Sequence, residues 1–378
     1  MAIFRPARPN DPLDHVETPA LLLDLDALEA NLAQMALSVE GTGIALRPHA
    51  KTHKCAAIGR RQIAAGAVGL CVQKVGEAEA LMHAGITDIR VTNQVVDPRK
   101  IARLCALAEL GRISVCADSL EQLPLLDAAA RDARIRLPVL VEIDVGSGRC
   151  GTRPGVPAAE LATAIAGSRH LAFEGIQAYH GRAQHLRHAS ERQEAVDGAV
   201  EACRRTLDAL AVRGIDCPVV TGAGTGTYPL EAASGVYTEI QPGSYCVMDL
   251  DYGADLDAEG CRYDEGGSPF RQAMHVLTTV ISRPLPDLMV TDVGHKGVAV
   301  DRGLPAVAGR PDLICTGASD EHLKFTCTDP ASAPRIGERL ALVPGHCDPT
   351  VDRHAHFVCI RNGVVRALWP IEAKGAFH

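Results

Sequence analysis

The feature that most constrains this chain is a rhythm of two textures. Short apolar, β-branched runs recur at Ile44–Arg47, Val68–Val72, Ile89–Thr92, Ile113–Cys116, Val139–Ile143, Phe173–Ala178, Pro218–Thr221 and Tyr237–Ile240. Alanine- and leucine-rich stretches with a helical repeat lie among them, at Asp26–Leu37, Glu77–Ala84, Pro98–Leu110, Leu120–Ala133, Ala158–Ala166 and Glu191–Val212. A short, continuously apolar run suits a strand buried on both faces, and a longer periodic stretch suits a helix that covers it. Eight strands, most followed by a helix, predict a closed parallel (β/α)8 barrel; a doubly wound open sheet is the structural alternative.

The texture changes after Gly253. Asp255–Ser268 is polar and glycine-rich, and β-like runs follow at Met274–Ile281, Met289–Val293, Arg339–Val343, Phe357–Ile360 and Val364–Trp369. No long helical period appears there. The expected division is a barrel over 19–254 and a second, mostly β domain over 255–378, with 1–18 packing on the second. A chain of 378 residues, 47% hydrophobic, is long enough to fill both cores.

Charge and composition narrow the function. A net charge of −8 without a basic run argues against a nucleic-acid partner, and 3% aromatic residues leave few platforms for stacked bases. No apolar run has the length of a membrane span, and Met1–Asp14 is polar and proline-rich, without the apolar centre of a signal peptide. A soluble cytoplasmic protein is expected. The 13 cysteines form no C-x-x-C pair and read as small buried apolar residues in a reducing compartment.

Active sites of parallel barrels gather at the carboxyl ends of the strands. Here the eight runs end in polar or glycine residues, including Lys51, Gln73, Arg149, Tyr179 with His180 and His185, Gly222–Gly226, and Gly243-Ser244-Tyr245. Turn chemistry alone would put polar residues there. The concentration of Lys, Arg, His and Tyr with glycine loops favours a ligand site. Lys51 is open to two readings: a solvated rim charge, or an amine that forms a Schiff base once partial burial lowers its pKa. Neighbouring Arg47, His49, His53 and Lys54 would push that pKa the same way. Gly224, Thr225 and Gly226 with Gly243, Ser244 and Tyr245 follow runs seven and eight, where barrels often bind phosphate through backbone N–H groups. Arg149, flanked by glycines, is either a surface arginine or a donor to a planar ligand. His346 and Asp348 stand two apart. In an extended segment both side chains would face one cation, a pairing that suits Mn²⁺, Mg²⁺ or Zn²⁺.

Taken together these pieces resemble the metal-activated D-threonine aldolases and 3-hydroxy-D-aspartate aldolases, within the alanine-racemase-like fold. The resemblance rests on R-P-H-A-K-T-H-K-C (Arg47–Cys55), Q-K-V-G-E-A (Gln73–Ala78), E-I-D-V-G-S-G-R-C-G (Glu142–Gly151), Q-A-Y-H-G-R-A-Q-H (Gln177–His185), G-A-G-T-G-T (Gly222–Thr227), S-G-V-Y-T-E-I-Q-P-G-S-Y (Ser234–Tyr245), M-D-L-D-Y-G (Met248–Gly253), D-E-H (Asp320–His322) and V-P-G-H-C-D-P-T (Val343–Thr350). It covers nearly the whole chain in order.

The resemblance implies a barrel plus a β domain and a homodimer acting on a D-β-hydroxy-α-amino acid. It implies pyridoxal 5′-phosphate (PLP) on Lys51 and Arg149 at the pyridine nitrogen. Gln73, Tyr179, Gly224–Gly226 and Gly243–Tyr245 would surround the cofactor. A divalent metal, Mn²⁺ first, would sit on His346 and Asp348, with His185 as the base near the substrate's β-oxygen. The chain departs from the family at Asp292-Val293-Gly294-His295-Lys296, at Ala223 within a usual triple glycine, and at Leu323-Lys324 after D-E-H. These departures bear on side-chain preference. The competing expectations are a D-serine or 3-hydroxy-D-aspartate dehydratase on the same fold, and a non-catalytic PLP-binding protein. Asp348, where the dehydratases tend to carry cysteine, favours the aldolase.

Overall fold

In the computed structural model, which describes residues 5–378, eight parallel strands stand side by side. In spatial order they are Ala45–Leu46, Glu239–Ile240, Val219–Gly222, Leu171–Ala178, Leu137–Glu142, Arg112–Ala117, Asp88–Gln94 and Leu70–Val72. Each overlaps one of the eight runs expected from the sequence. The ring closes beyond Leu46. His49 pairs with Cys71, the Ala50 N–H donates to the Cys71 carbonyl at 2.7 Å, and the Cys71 N–H donates to Pro48 at 2.9 Å.

The expected helix Leu25–Val39 precedes the first barrel strand, and the crossovers hold others, among them Val75–His83, Pro98–Ala106, Leu123–Asp132, Val156–Gly167 and Ala189–Val212. Helix starts follow local chemistry. Asp97 accepts from the Arg99 and Lys100 amides at 2.8 and 3.2 Å, and Pro98 occupies the first turn, where an N–H would be unpaired. Helix Ala56–Ala64 was not expected; Arg60 and Arg61 break its apolar stripe.

Apolar side chains such as Val91, Val115, Val139 and Ile176 are fully buried in the strands. Towards the strand starts an ionic cluster replaces them. Arg90 pairs with Glu239 and, at 2.5 Å, with Glu174, and both partners lie on strands that are not its neighbours, so the pairs span the barrel interior. Arg47 reaches Glu239 at 2.9 Å and Asp88 at 2.6 Å, while Arg112 reaches Glu174 at 2.5 Å. Three guanidinium groups meet three carboxylates, so buried charges balance as low-dielectric surroundings require.

Among the described residues the second compact unit comprises 5–34, 52–55 and 244–374. Its sheet runs, in spatial order, Leu313–Ala318, Leu323–Cys327, Leu288–Thr291, Met274–Leu285, Ala20–Asp24, His356–Arg361 and Val364–Pro370. Arg339–Val343 adds to Met274–Leu285 and carries Ala306–Val307 on its other side. Pairing is antiparallel except between Ala20–Asp24 and His356–Arg361. Ala7, Val16, Ala20, Leu22, Leu277, Val358 and Val365 share one core cluster. Strand Ala20–Asp24 belongs to this sheet, not to the barrel, and three short strands here went unread.

Candidate active site

The barrel unit carries most of the expected cofactor residues at the carboxyl ends of its strands. Lys51 follows the first strand and is half-buried. Its N–H donates to His49 Nδ1 at 3.3 Å. The opposite His49 nitrogen, Nε2, lies 3.0 Å from Thr92 Oγ1, which in turn donates to the Val72 carbonyl at 3.2 Å. Gln73 Nε2 lies 3.2 Å from the same His49 nitrogen. Gln73, just past the second strand, also donates to Thr92 Oγ1, at 3.2 Å. The loop that presents Lys51 is therefore fastened to the ends of the second and third strands.

Two of the cations expected to act on Lys51 have carboxylate partners of their own. The Arg47 guanidinium is neutralised by Asp88 and Glu239. In the second unit Lys54 pairs with Asp352 at 2.7 Å, and His53 Nδ1 accepts the Cys55 N–H. Lys54 is thereby held in an ion pair.

Arg149 sits in the loop after the fifth strand. Its guanidinium lies 5.8 Å above the Tyr179 ring and 3.9 Å from Glu142. The loop is anchored by Asp144, which accepts the Gly146 and Gly148 amides at 3.0 and 3.1 Å, and by Asp118, which accepts the Gly151 amide at 2.9 Å. Gly146, at φ +121°, is glycine by necessity: a Cβ there would lie 2.5 Å from His180 Nε2. Burial pushes the Glu142 carboxyl upward, against a lowering hydrogen bond from Gln94 at 2.6 Å.

His185 ends a 3-10 turn, Arg182–His185, after the strand that delivers Tyr179. The glycine loop Gly222–Gly226 leaves the next strand. Its Gly226 N–H is directed at Gln184 Oε1 at 3.0 Å, so this amide is engaged within the protein and is not an open phosphate donor. Gly243 closes the barrel segment. Ser244 and Tyr245 open a buried turn in the second unit, with the Tyr245 ring 5.5 Å from Phe270.

In the second unit His346 follows strand Arg339–Val343 and is extended, while Asp348 lies in the first turn of the short helix Cys347–Val351. The expectation of an alternating extended pair does not hold here. The helix starts at once because Asp249 accepts the Cys347 N–H at 2.8 Å and Thr350 Oγ1 donates back to the His346 carbonyl at 2.7 Å. His346 Nδ1 meets Asp301 at 2.7 Å, which orients the ring. Among the described residues, no group of three or more His, Cys, Asp or Glu side chains is arranged around one metal position. Sequence reasoning gave no positioning role to Asp301, His49 or Gln184; His49 and Gln184 stood in quoted motifs, and Asp301 did not.

Among the departures from the family pattern, His295 and Lys296 form exposed ion pairs, whereas Ala223, Val293 and Leu323 are buried. His295 meets Asp320 at 2.9 Å and Lys296 meets Glu321 at 2.6 Å. No helix among the described residues is long and apolar enough to cross a membrane.

Residues 23–251 match the alanine racemase N-terminal domain, and residues 273–360 match a putative serine dehydratase domain. Barrel, β unit and rim lysine thus define the alanine-racemase-like class. A D-threonine aldolase from Arthrobacter sp. is 44% identical over 375 residues, covering 99% of this chain and 97% of that protein. A 3-hydroxy-D-aspartate aldolase from Paracoccus denitrificans is 42% identical, covering 98% and 95%. The crystal structure of D-threonine aldolase from Filomicrobium marinum superposes with a TM-score of 0.95 at 41% identity over the full length of both chains. The chain belongs to the family of D-threonine and 3-hydroxy-D-aspartate aldolases.

Proposed function

We propose that this protein is a PLP- and divalent-cation-dependent aldolase. It cleaves D-β-hydroxy-α-amino acids, D-threonine and D-3-hydroxyaspartate among them, to glycine and an aldehyde. The observation that carries the reading is the gathering of Lys51, Gln73, Arg149, Tyr179 and the Gly224–Gly226 loop on one rim of the barrel, in a chain of this family. The donor set fits PLP: a primary amine on a fastened loop, a guanidinium stacked over a phenol, and a glycine turn with Thr225. The hydroxyl of Thr52, next to Lys51 in sequence, is buried without a hydrogen-bond partner. An imidazole oriented by a carboxylate, with Asp348, fits a divalent ion such as Mn²⁺, Mg²⁺ or Zn²⁺, the remaining positions being filled by water or substrate.

When bound, PLP supplies an electron sink at the substrate's α-carbon and the cation supplies a Lewis acid. The chain's own residues do the rest. Lys51 would hold the cofactor through its amine. Arg149 would face the pyridine nitrogen, and Tyr179, Gln73, Gly224, Thr225, Gly226, Gly243, Ser244 and Tyr245 would surround the cofactor, Gly226 acting through Gln184. His185 takes the proton from the β-hydroxyl, which commits the Cα–Cβ bond to cleavage in place of loss of the hydroxyl. The expected barrel over 19–254 narrows to strands and helices lying mainly within 35–243, the β domain taking 244–374 and the segment before 35, and the setting is a cytoplasmic homodimer.

Product analysis tests the reading. Purified protein given PLP and Mn²⁺ with D-threonine or D-3-hydroxyaspartate should release glycine and aldehyde in equal amounts. Ammonia and a keto acid instead would make it a dehydratase, and no turnover of either substrate would leave a non-catalytic cofactor carrier.

A further inference from the structure

We propose that Gln184 is a positioning residue that locks the Gly224–Gly226 loop against the turn carrying His185. The inference rests on the reading of that loop as the seat of the cofactor phosphate.

Gln184 is buried at 1% exposure. Its Oε1 accepts the Gly226 N–H at 3.0 Å. Its Nε2 donates to Thr227 Oγ1 at 2.7 Å and to the His180 carbonyl at 3.4 Å. Thr227 passes the chain on, donating to Glu231 Oε1 at 2.8 Å. One amide therefore uses both donor hydrogens and an acceptor site on three segments: the His180 turn, the glycine loop and the helix behind it. The backbone reinforces the arrangement, because the Thr227 and Tyr228 amides both donate to the Gly224 carbonyl, at 3.3 and 3.0 Å.

Gly224 records the same fit from the other side. A Cβ there would lie 2.4 Å from Gln184 Oε1, so Gln184 fills the space that any other residue would need. Gln184 precedes His185 directly, and both belong to the turn Arg182–His185. Fixing the Gln184 amide thus fixes the register of the proposed base to the proposed phosphate loop. A buried side chain with every polar atom bonded across segments has one position, which is what orientation of reacting groups demands.

The test uses the full chain with Gln184→Met, which keeps length and removes the polar atoms, and Thr227→Val, which removes the acceptor at the other end. Hydrogen exchange of the peptide spanning Gly222–Thr227 in cofactor-free protein should speed at least tenfold in both. PLP affinity should fall at least tenfold, and kcat should fall more than KM rises. Gln184→Glu, which keeps the acceptor facing Gly226, should restore slow exchange at Gly226. Melting curves identify any variant that fails to fold; Thr227→Val then carries the test. Unchanged exchange in the folded variants overturns the proposal. So does faster exchange with unchanged PLP affinity, provided that Thr225→Ala weakens PLP binding. If Thr225→Ala and Gln184→Met both leave PLP affinity unchanged, the assignment of the phosphate seat falls first, and the proposal with it.

Discussion

Glu231 offers the sharpest prediction about the barrel. Its carboxyl is fully enclosed, with Oε1 accepting from Thr227 and Oε2 unpartnered. Burial pushes its pKa from the ordinary 4.5 up to about 7, while the Thr227 hydroxyl pulls the other way. The folded-state pKa is therefore raised above the unfolded one. Such a group contributes its full stability below pH 4.5, and that contribution is lost as the pH rises through 7. The whole shift corresponds to about 3 kcal/mol at about 1.4 kcal/mol per unit, of which about 2.5 kcal/mol falls between pH 5 and 8. Glu231→Gln removes the ionisation and keeps the acceptor for Thr227. Urea unfolding of both proteins at pH 5, 6, 7 and 8 should show the variant gaining on the parent by roughly 2–3 kcal/mol across the series. Stability curves that stay parallel from pH 5 to 8 would refute the argument that this carboxyl is held neutral by burial.

Two further perturbations follow from the ion pairs. Arg90→Met leaves Glu239 and Glu174 short of a cation inside the barrel and should cost about 3–5 kcal/mol, read as a melting point lower by roughly 10 °C. Asp301→Asn removes the carboxylate that orients His346 and should weaken Mn²⁺ binding about 10–100-fold in a direct titration, leaving the cofactor spectrum unchanged.

Parallel strands buried on both faces leave continuous apolar prints, and for that reason all eight barrel strands were legible in the sequence. Strand Ala20–Asp24 was not, because its leucines run into the helix at Leu25 without a turn residue between them. Leu313–Ala318 and Leu323–Cys327 were hidden by the polar residues of half-exposed strands. Arg90 interrupts an apolar run and resembles a surface residue until its partners across the barrel are seen. Candidate site residues were visible wherever chemistry sits at a strand end, as at Lys51, Arg149 and Tyr179. The residues that hold them were not, because their partners are distant in sequence: Gln184 lies 42 positions from Gly226, and Asp301 lies 45 from His346. The helix at Asp348 was equally hidden, since it is set by an aspartate 98 positions before Cys347. Ala223, at φ +66°, adopts a left-handed conformation that favours the glycine the family usually has there.

The central claim is that Lys51 is the amine that takes the cofactor. Borohydride reduction of the PLP-loaded protein, followed by peptide mass mapping, examines it most directly. A pyridoxyl group on the peptide containing Lys51, absent after Lys51→Ala, is the predicted result. A stable label on Lys54, Lys74 or any other lysine, or no label at all, would contradict the account.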